Sequence, residues 1–142
     1  RGTNKLEEIY KSRFPGVPCF SMTSDESEFI KYFANCFFAT KVSFMNEMRL
    51  IADNSNVDWQ TAVDGFVRDG RVGHSHLSVP GPDGKFGFGG SCFPKDMQAL
   101  IKYADSIGID TNVLSGAWKT NIEVRPERDW ELLKGRAVME EK

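Results

Sequence analysis

The longest periodic pattern of apolar residues in the chain lies between residues 25 and 53. Apolar side chains recur there at steps of three and four residues, which is the period of an α-helix. They are Phe29, Phe33, Phe37, Val42, Phe44, Met45, Met48, Ile51 and Ala52. Asp25 and Ser27 can cap the start of this helix. Because such a helix is roughly 40 Å long, one small domain cannot cover it, and we expect its phenylalanines to form the spine of a dimer.

Shorter patterns predict further helices. These cover residues 4–13 with Asn4 as the cap, residues 58–67 with Asp58 as the cap, residues 94–107 with Gly108 after the end, and residues 111–133 with a break at Pro126. Residues 19–22 and 136–139 predict short strands, and residues 74–90 predict an irregular loop. A helix followed by a lone strand cannot make a sheet, so we expect residues 1–23 to be the end of something larger. The predicted helices make the chain a mainly α protein.

Composition narrows the class of protein. The chain has 142 residues, 40% of them hydrophobic, and 18 basic against 20 acidic residues give a net charge of −2. This apolar content supports a folded core, and the charge balance gives no support for a nucleic-acid or membrane-surface binder. No run approaches the roughly 20 apolar residues of a membrane span, and no signal peptide opens the chain. We therefore expect a cytoplasmic location.

The three cysteines Cys19, Cys36 and Cys92 form no CxxC pair, so we expect reduced thiols. With only His74 and His76 to join them, the sequence predicts no metal site. The chain starts without methionine, and we expect it to be a fragment or an engineered piece.

Cys92 is the strongest candidate for chemistry. Glycines precede it in the segment GFGGSCFPKD at residues 87–96, and Pro94 suits the first turn of a helix. The opening N–H groups of a helix and the charge of Lys95 both favour a thiolate, which is a nucleophile. Two other interpretations stay open: Cys92 as a small buried hydrophobic residue, and Cys92 with His74 or His76 as a hydrolase pair. A dinucleotide loop is not predicted, because the third glycine position of GxGxxG is Cys92 itself.

The polar face of the long helix carries a second candidate group. Lys31 and Asn35 are four residues apart and therefore one turn apart on one side, and Asn46 lies roughly on the same stripe three turns later. From the helix alone, a solvated face is the interpretation we favour for these residues.

Four segments together resemble the UDP-glucose 6-dehydrogenase family. The segment at residues 87–96 resembles its catalytic cysteine motif, and three further segments match in order, at residues 28–35, 41–47 and 69–73. The resemblance covers essentially the whole chain. It implies an NAD-dependent oxidoreductase that converts UDP-glucose to UDP-glucuronate by two hydride transfers, through a thiohemiacetal and a thioester.

The resemblance also implies roles for particular residues. Cys92 would be the nucleophile, Lys31 and Asn35 would hold the C6 oxygen, and Asp96 would assist proton transfer and position water. Lys95 would reach NAD. Arg71 would contact the sugar nucleotide from the neighbouring subunit, and the glycine stretch would pack along the substrate: Gly87, Phe88, Gly89 and Gly90. The loop at residues 79–85 is longer than in some members, so contacts there transfer poorly.

The resemblance implies a domain division as well. Residues 26–123 would be a central helical dimerisation domain with a long spine helix and the catalytic cysteine. Residues 1–25 would be the end of an NAD-binding Rossmann domain, and residues 124–142 a linker helix and the start of a UDP-binding domain. We expect a homodimer whose NAD site lies mostly outside this chain, so that the chain alone does not turn over. A GDP-mannose or UDP-N-acetyl-sugar dehydrogenase remains an alternative, as does a non-catalytic helical dimerisation module.

Overall fold

The computed structural model describes residues 2–133 and residue 135. The described residues form five α-helices and one short 3-10 helix: α1 (Gly2–Arg13), α2 (Ser24–Asp53), α3 (Trp59–Val67), α4 (Cys92–Ser106), α5 (Asn112–Val124) and the 3-10 helix Asp129–Leu132. None of them lies in a β-strand, which confirms a mainly helical protein. The strand predicted at residues 19–22 is therefore wrong, because no second strand in the described part could pair with its backbone groups. The strand predicted at residues 136–139 lies outside the described residues.

The chain divides into two compact units, one up to Lys31 and one from Tyr32 onward. In the first unit, α1 begins at Gly2, ahead of the predicted cap, so Asn4 lies within the helix. The start of α2 is a capping box at Thr23, and the prediction of Asp25 and Ser27 as caps is wrong. The Thr23 N–H donates to Glu26 Oε2 at 2.7 Å, and the Glu26 N–H donates back to Thr23 Oγ1 at 3.3 Å.

The main core of the second unit lies where α2, α4 and α5 pack around Phe88. Phe88 belongs to the glycine-rich stretch at residues 87–90, which we call the glycine segment. Its buried members are Cys36, Ala39, Phe88, Met97 and Ala117. Half-buried side chains such as Trp118 and Leu100 surround them. The packing fixes α4, and with it the residue at its first position, against the middle of α2.

A second core cluster joins α2 to α3 and to the irregular loop that follows α3. Met45, Leu77 and Val79 are buried there, and Trp59 and Val63 of α3 pack against them. As predicted, α3 is capped by the Asp58 side chain, which accepts from the Thr61 N–H at 2.8 Å. No helix or strand interrupts the chain between α3 and α4, and this confirms the predicted loop.

The bounds of α4 and α5 determine where the site residues lie. Helix α4 begins at Cys92 rather than at the predicted Pro94. Proline is tolerated within the first turn, because the first N–H groups of a helix have no intrahelical partner. Gly108 follows α4 with φ of +75°, as predicted for a residue after a helix end. The predicted break at Pro126 is confirmed, since α5 ends at Val124.

One side of α2 exposes large apolar residues. At 100° per residue, five of them in the second unit share a narrow stripe, which we call the apolar stripe: Phe33, Phe37, Phe44, Met48 and Ile51. All five side chains are exposed, between 39% for Met48 and 62% for Phe33. The regular apolar spacing that predicts the helix therefore marks mainly its exposed side.

Candidate active site

Cys92 is the first residue of α4, and it is exposed. Its Sγ lies 3.9 Å from Ser91 Oγ, and the Ser91 side chain does not cap the helix. The positive end of the helix dipole and the unpaired opening N–H groups therefore lie beside the thiol. The exposure shows that the interpretation of Cys92 as a small buried hydrophobic residue is wrong.

Asp96 lies one turn further along α4, and its side chain is fully buried. Its carboxylate accepts hydrogen bonds from Asn35 Nδ2 at 2.5 Å and from Lys95 Nζ at 2.6 Å. Asn35 reaches across from α2, so a hydrogen bond connects α2 with α4 at this point. The structure thus brings together three of the residues predicted for the site, next to the turn that carries Cys92.

Cys36 follows Asn35 on α2 and is a useful contrast to Cys92. Its side chain is 2% exposed. Burial in the core raises the pKa of the Cys36 thiol to about 11, and the negative charge of Asp96 adds to the rise. Cys36 therefore stays a neutral thiol at neutral pH and belongs to the core.

The two histidines lie in the loop before the glycine segment. The His76 ring stacks on Phe38 with ring centroids 4.4 Å apart and lies 5.6 Å from the ring of Phe93. Within the described part of the chain, no hydrogen bond joins either histidine to Cys92. The arrangement therefore gives no support to a cysteine-histidine hydrolase, which needs base and nucleophile in hydrogen-bond reach.

The backbone of the glycine segment is held by side chains from three directions. The Gly87 N–H donates to Asn46 Oδ1 at 3.0 Å, the Phe88 N–H to Asn121 Oδ1 at 2.7 Å, and the Gly90 N–H to Asp129 Oδ2 at 3.0 Å. An anion-binding loop needs successive N–H groups that point at the ligand. Because protein side chains occupy these three donors, the segment does not fit a dinucleotide phosphate.

At two positions of the segment, a side chain larger than that of glycine would collide with neighbouring atoms. Gly87 has φ of +67°, and a Cβ built there would lie 2.5 Å from Asn121 Oδ1. A Cβ at Gly89 would collide with the guanidinium of Arg125 and lie 2.5 Å from Asp129 Oδ1. At these two glycines the backbone thus closely approaches the protein's own side chains.

Arg125 lies at the centre of the side chains that hold the glycine segment. Its side chain is 3% exposed, and it donates to Asp129 Oδ1 at 2.6 Å, to Asp83 Oδ2 at 2.7 Å and to the Phe86 carbonyl at 3.3 Å. Partial burial alone would raise the pKa of Asp129, but the hydrogen bonds from Arg125 and from the Gly90 N–H hold it below its usual value. The Arg125 hydrogen bond likewise lowers the pKa of Asp83.

The remaining predicted residues lie in three different settings. Lys31 is an exposed residue of α2 in the first unit, one helical turn before Asn35. Arg71 is exposed after α3 and forms an ion pair with Asp69. Phe88 is 5% exposed, and its ring packs edge-on against Phe93. The roles predicted for these residues stay predictions.

Sequence reasoning missed most of the residues that hold the site. Asn46 is 1% exposed, so its assignment to a solvated face is wrong. Asn121, Arg125 and Asp129 were not singled out, although Asn121 follows the buried Ala117 by one helical turn. A polar residue in register with a core position is the signal that could have found it.

Lys41 holds the loop that precedes the glycine segment. Its Nζ donates to the carbonyls of Gly73 and Ser75, each at 2.6 Å.

Within the described residues, no group of three or more His, Cys, Asp or Glu side chains could bind a metal ion. No described helix has the length and apolar character needed to cross a membrane.

Comparison with known proteins gives one consistent result. Residues 25–123 match the UDP-glucose/GDP-mannose dehydrogenase family, central domain. The chain is 44% identical over 108 residues to a UDP-glucose 6-dehydrogenase of Pseudomonas aeruginosa, covering 76% of this chain and 22% of that protein. It is 37% identical over 120 residues to a UDP-glucose 6-dehydrogenase of Bacillus subtilis, covering 84% of this chain and 24% of that protein.

A solved structure agrees with these sequences. The fold is similar to that of a UDP-glucose dehydrogenase from the hyperthermophilic archaeon Pyrobaculum islandicum, with a TM-score of 0.76 and 33% identity. The match covers 92% of this chain and 28% of that one. The chain thus spans about a quarter of the length of the relatives it matches.

Proposed function

Since the chain belongs to the UDP-glucose/GDP-mannose dehydrogenase family, we propose that it supplies the thiol site for the NAD-dependent oxidation of UDP-glucose to UDP-glucuronate. The observation that carries the proposal is the arrangement at the start of α4. An exposed thiol occupies the first helical position, and one turn later a buried carboxylate is held by Asn35 and Lys95. The names of the relatives favour UDP-glucose over GDP-mannose as the substrate.

The chain's own residues would act on the aldehyde that the first oxidation leaves at C6. The Cys92 thiolate adds to that carbon, and protonation of the C6 oxygen gives a thiohemiacetal. Loss of its C6 hydride and of its hydroxyl proton then gives a thioester. Water then attacks the thioester carbon, and the C–S bond breaks to release the carboxylate, the thiol and one proton. The positive end of the α4 dipole lies beside the sulfur that begins this sequence.

Asp96 and Asn35 have complementary parts in the proposal. The Asp96 carboxylate would accept the proton of the attacking water and return it to the leaving sulfur. Asn35 has two N–H hydrogens, and one of them is used on Asp96. The second would stabilise the oxyanion at C6, the role that the family resemblance also implies for Lys31. The bond to Asp96 would fix the direction in which that second hydrogen points.

NAD would be the hydride acceptor. The described residues of this chain do not form a complete site for NAD. The N–H groups of the glycine segment that a phosphate would need are already used by Asn46, Asn121 and Asp129. Lys95, with a side chain 40% exposed, would be the chain's contribution to that cofactor. Arg71 would contact the sugar nucleotide from a neighbouring subunit.

We also propose that the apolar stripe of α2 packs against a second copy of the chain. Without a partner, these five large side chains on one side of the helix would stay in contact with water. Burying their apolar surface against a second copy would be favourable. A homodimer through this helix would cover them, as the helix length led us to expect.

A graft into an active relative tests the proposed reaction. The whole chain replaces the corresponding stretch of the Pseudomonas aeruginosa UDP-glucose 6-dehydrogenase, and NADH formation is followed with UDP-glucose and separately with GDP-mannose. We expect UDP-glucose to be oxidised, and the Cys92→Ser graft to lose at least about 10³-fold in kcat. The Cys19→Ser graft is the matched control and should keep its activity.

The outcomes separate the alternatives. A folded, dimeric graft that reduces no NAD would favour a non-catalytic helical module. Preference for GDP-mannose would move the substrate assignment. A Cys92→Ser graft as active as the unmodified graft would contradict the proposed nucleophile.

A further inference from the structure

We propose that Asn121 and the Arg125–Asp129 pair are positioning residues for the thiol of Cys92, a role that rests on the proposed function. None of the three touches Cys92. They act through the backbone of the glycine segment, which leads directly into the first turn of α4. The three residues lie on α5 and just after it, so they link the end of the helical core to the nucleophile.

Asn121 holds the segment at Phe88 from both sides. Its Oδ1 accepts from the Phe88 N–H at 2.7 Å, and its Nδ2 donates to the Phe88 carbonyl at 3.0 Å. Asn121 is completely buried. A side-chain amide that pairs with both backbone groups of one residue fixes that residue as a strand neighbour would, and it leaves no buried polar group of Phe88 without a partner.

The Arg125–Asp129 pair holds the segment two residues closer to the thiol. Asp129 accepts from the Gly90 N–H at 3.0 Å through Oδ2 and from Arg125 through Oδ1 at 2.6 Å. Each carboxylate oxygen of Asp129 thus accepts one of these two hydrogen bonds. The guanidinium fills the space where Gly89 lacks a side chain. Both members of the pair therefore contact the segment directly.

The anchor at Gly90 is the one nearest to the chemistry. Only Ser91 separates Gly90 from Cys92, and the Ser91 side chain makes no capping hydrogen bond. With no side-chain cap, the entry of the backbone into α4 depends on how Gly90 is held. If Gly90 moves, the first turn of α4 moves with it, and the thiol shifts relative to the helix N-terminus and to Asp96. The oxygen Oδ2 of Asp129 consequently sets the geometry of the nucleophile.

Two substitutions at one position separate positioning from simple stability. Asp129→Ala removes the acceptor for the Gly90 N–H, whereas Asp129→Asn keeps an oxygen there. Glu131→Ala changes an exposed acidic residue of the same 3-10 helix, which pairs with Arg128 at 3.5 Å, and is the matched control. The full chain is tested by amide hydrogen exchange at Gly90 and by the rate of iodoacetamide alkylation of Cys92 relative to Cys19. The graft supplies kcat and KM.

In Asp129→Ala we expect exchange at Gly90 to be about tenfold faster, and the Cys92-to-Cys19 alkylation ratio to fall about threefold, the range that one hydrogen bond accounts for. In the graft, kcat should fall about tenfold while KM changes less than about twofold, because the substrate contacts remain. Asp129→Asn should restore most of each value, and Glu131→Ala should resemble the unmodified chain.

Each contrary result has a distinct meaning. Faster exchange at Gly90 with an unchanged alkylation ratio would overturn the inference, since Asp129 would then serve stability alone. An unchanged exchange rate would overturn it as well. If the unmodified graft reduces no NAD, the proposed function fails, and the alkylation ratio in the full chain still decides whether Asp129 positions the thiol.

Discussion

The two sides of α2 reverse the usual relation between polarity and burial. One side exposes the apolar stripe, with Phe37 at 58% and Phe44 at 50%. The other side buries small and polar residues, with Asn46 at 1% and Ser43 at 2% exposed. Ser43 donates to the Ala117 carbonyl at 2.7 Å and Asn46 accepts from the Gly87 N–H at 3.0 Å. The buried side is built from hydrogen bonds that place the site.

This difference separates two tasks within one helix. The buried side must let α4 and α5 approach closely and must pair with a loop that has no regular backbone hydrogen bonds, so small and amide side chains suit it. The exposed side has no such task inside the described chain, and large apolar residues there suit contact with another molecule. Substitutions on the two sides should therefore have effects opposite to those predicted from hydrophobicity.

Asn46→Leu is expected to cause the largest loss in the free energy of unfolding, although the substitution places a more apolar side chain at a buried position. The change removes the acceptor of the Gly87 N–H and leaves that group buried without a partner, which costs about 1–3 kcal/mol of unfolding free energy. Asn54→Leu is the matched control, because both amides donate to the carbonyl four residues earlier at 2.8 Å, but Asn54 is exposed. Urea unfolding of both variants measures the difference, and equal losses would contradict the account.

A smaller effect should appear on acidification. The pKa of Asp129 is lower in the folded chain than the roughly 3.9 of an unfolded aspartate. The folded state therefore binds fewer protons there, so this stabilisation is present above about pH 4 and is lost as the pH falls through the folded pKa. After allowance for partial exposure, the loss should be less than about 1 kcal/mol.

The pH dependence can be assigned by substitution. Asp129→Asn should unfold with a weaker dependence on pH between about pH 5 and pH 3 than the unmodified chain. Asp105→Asn, at an exposed position of α4, is the control. A steeper acid dependence in Asp129→Asn than in the unmodified chain would reverse the predicted sign.

The smallest effect on the stability of the single chain is expected from Phe37→Ser. At low protein concentration the free energy of unfolding should change by less than about 0.5 kcal/mol, because the side chain is mostly exposed. Sedimentation at higher concentration should instead show weaker self-association. Val113→Ser removes an apolar side chain that is 73% exposed on α5, outside the stripe, and should leave association unchanged. If both variants associate like the unmodified chain, the dimer proposal fails.

The sequence was informative where the periodicity was long and where a residue type has one structural use. The apolar spacing predicted α2 nearly to its ends, Asp58 predicted the start of α3, and Pro126 predicted the break after α5. Cys92 and Asp96 could be singled out because one short segment carries both. The same spacing did not show which side of α2 is buried, since Asn46 and Ser43 are polar and the phenylalanines are not.

The residues that hold the site were harder to predict because their partners are distant in sequence. Arg125 contacts Asp83 and the Phe86 carbonyl, and such contacts exist only after the loop and α5 pack together. Nothing local distinguishes a buried arginine from an exposed one at the end of a helix. The start of α2 was misassigned for a different reason: Asp25 and Ser27 are capping residues by type, but the Thr23–Glu26 box uses the spacing that satisfies two N–H groups at once.

The central claim, that Cys92 is an activated thiol at the start of α4, is tested most directly by competitive alkylation of the folded chain at pH 8. Iodoacetamide labelling of the three cysteines is followed by peptide mass spectrometry. Cys92 should react at least about fivefold faster than Cys19. Cys19 is also exposed, but it lies five residues before the start of α2 and not within a helix. Cys36 should react slowest, because it is buried and its pKa is about 11. A Cys92 no faster than Cys19, or a Cys36 as fast as Cys92, would contradict the account.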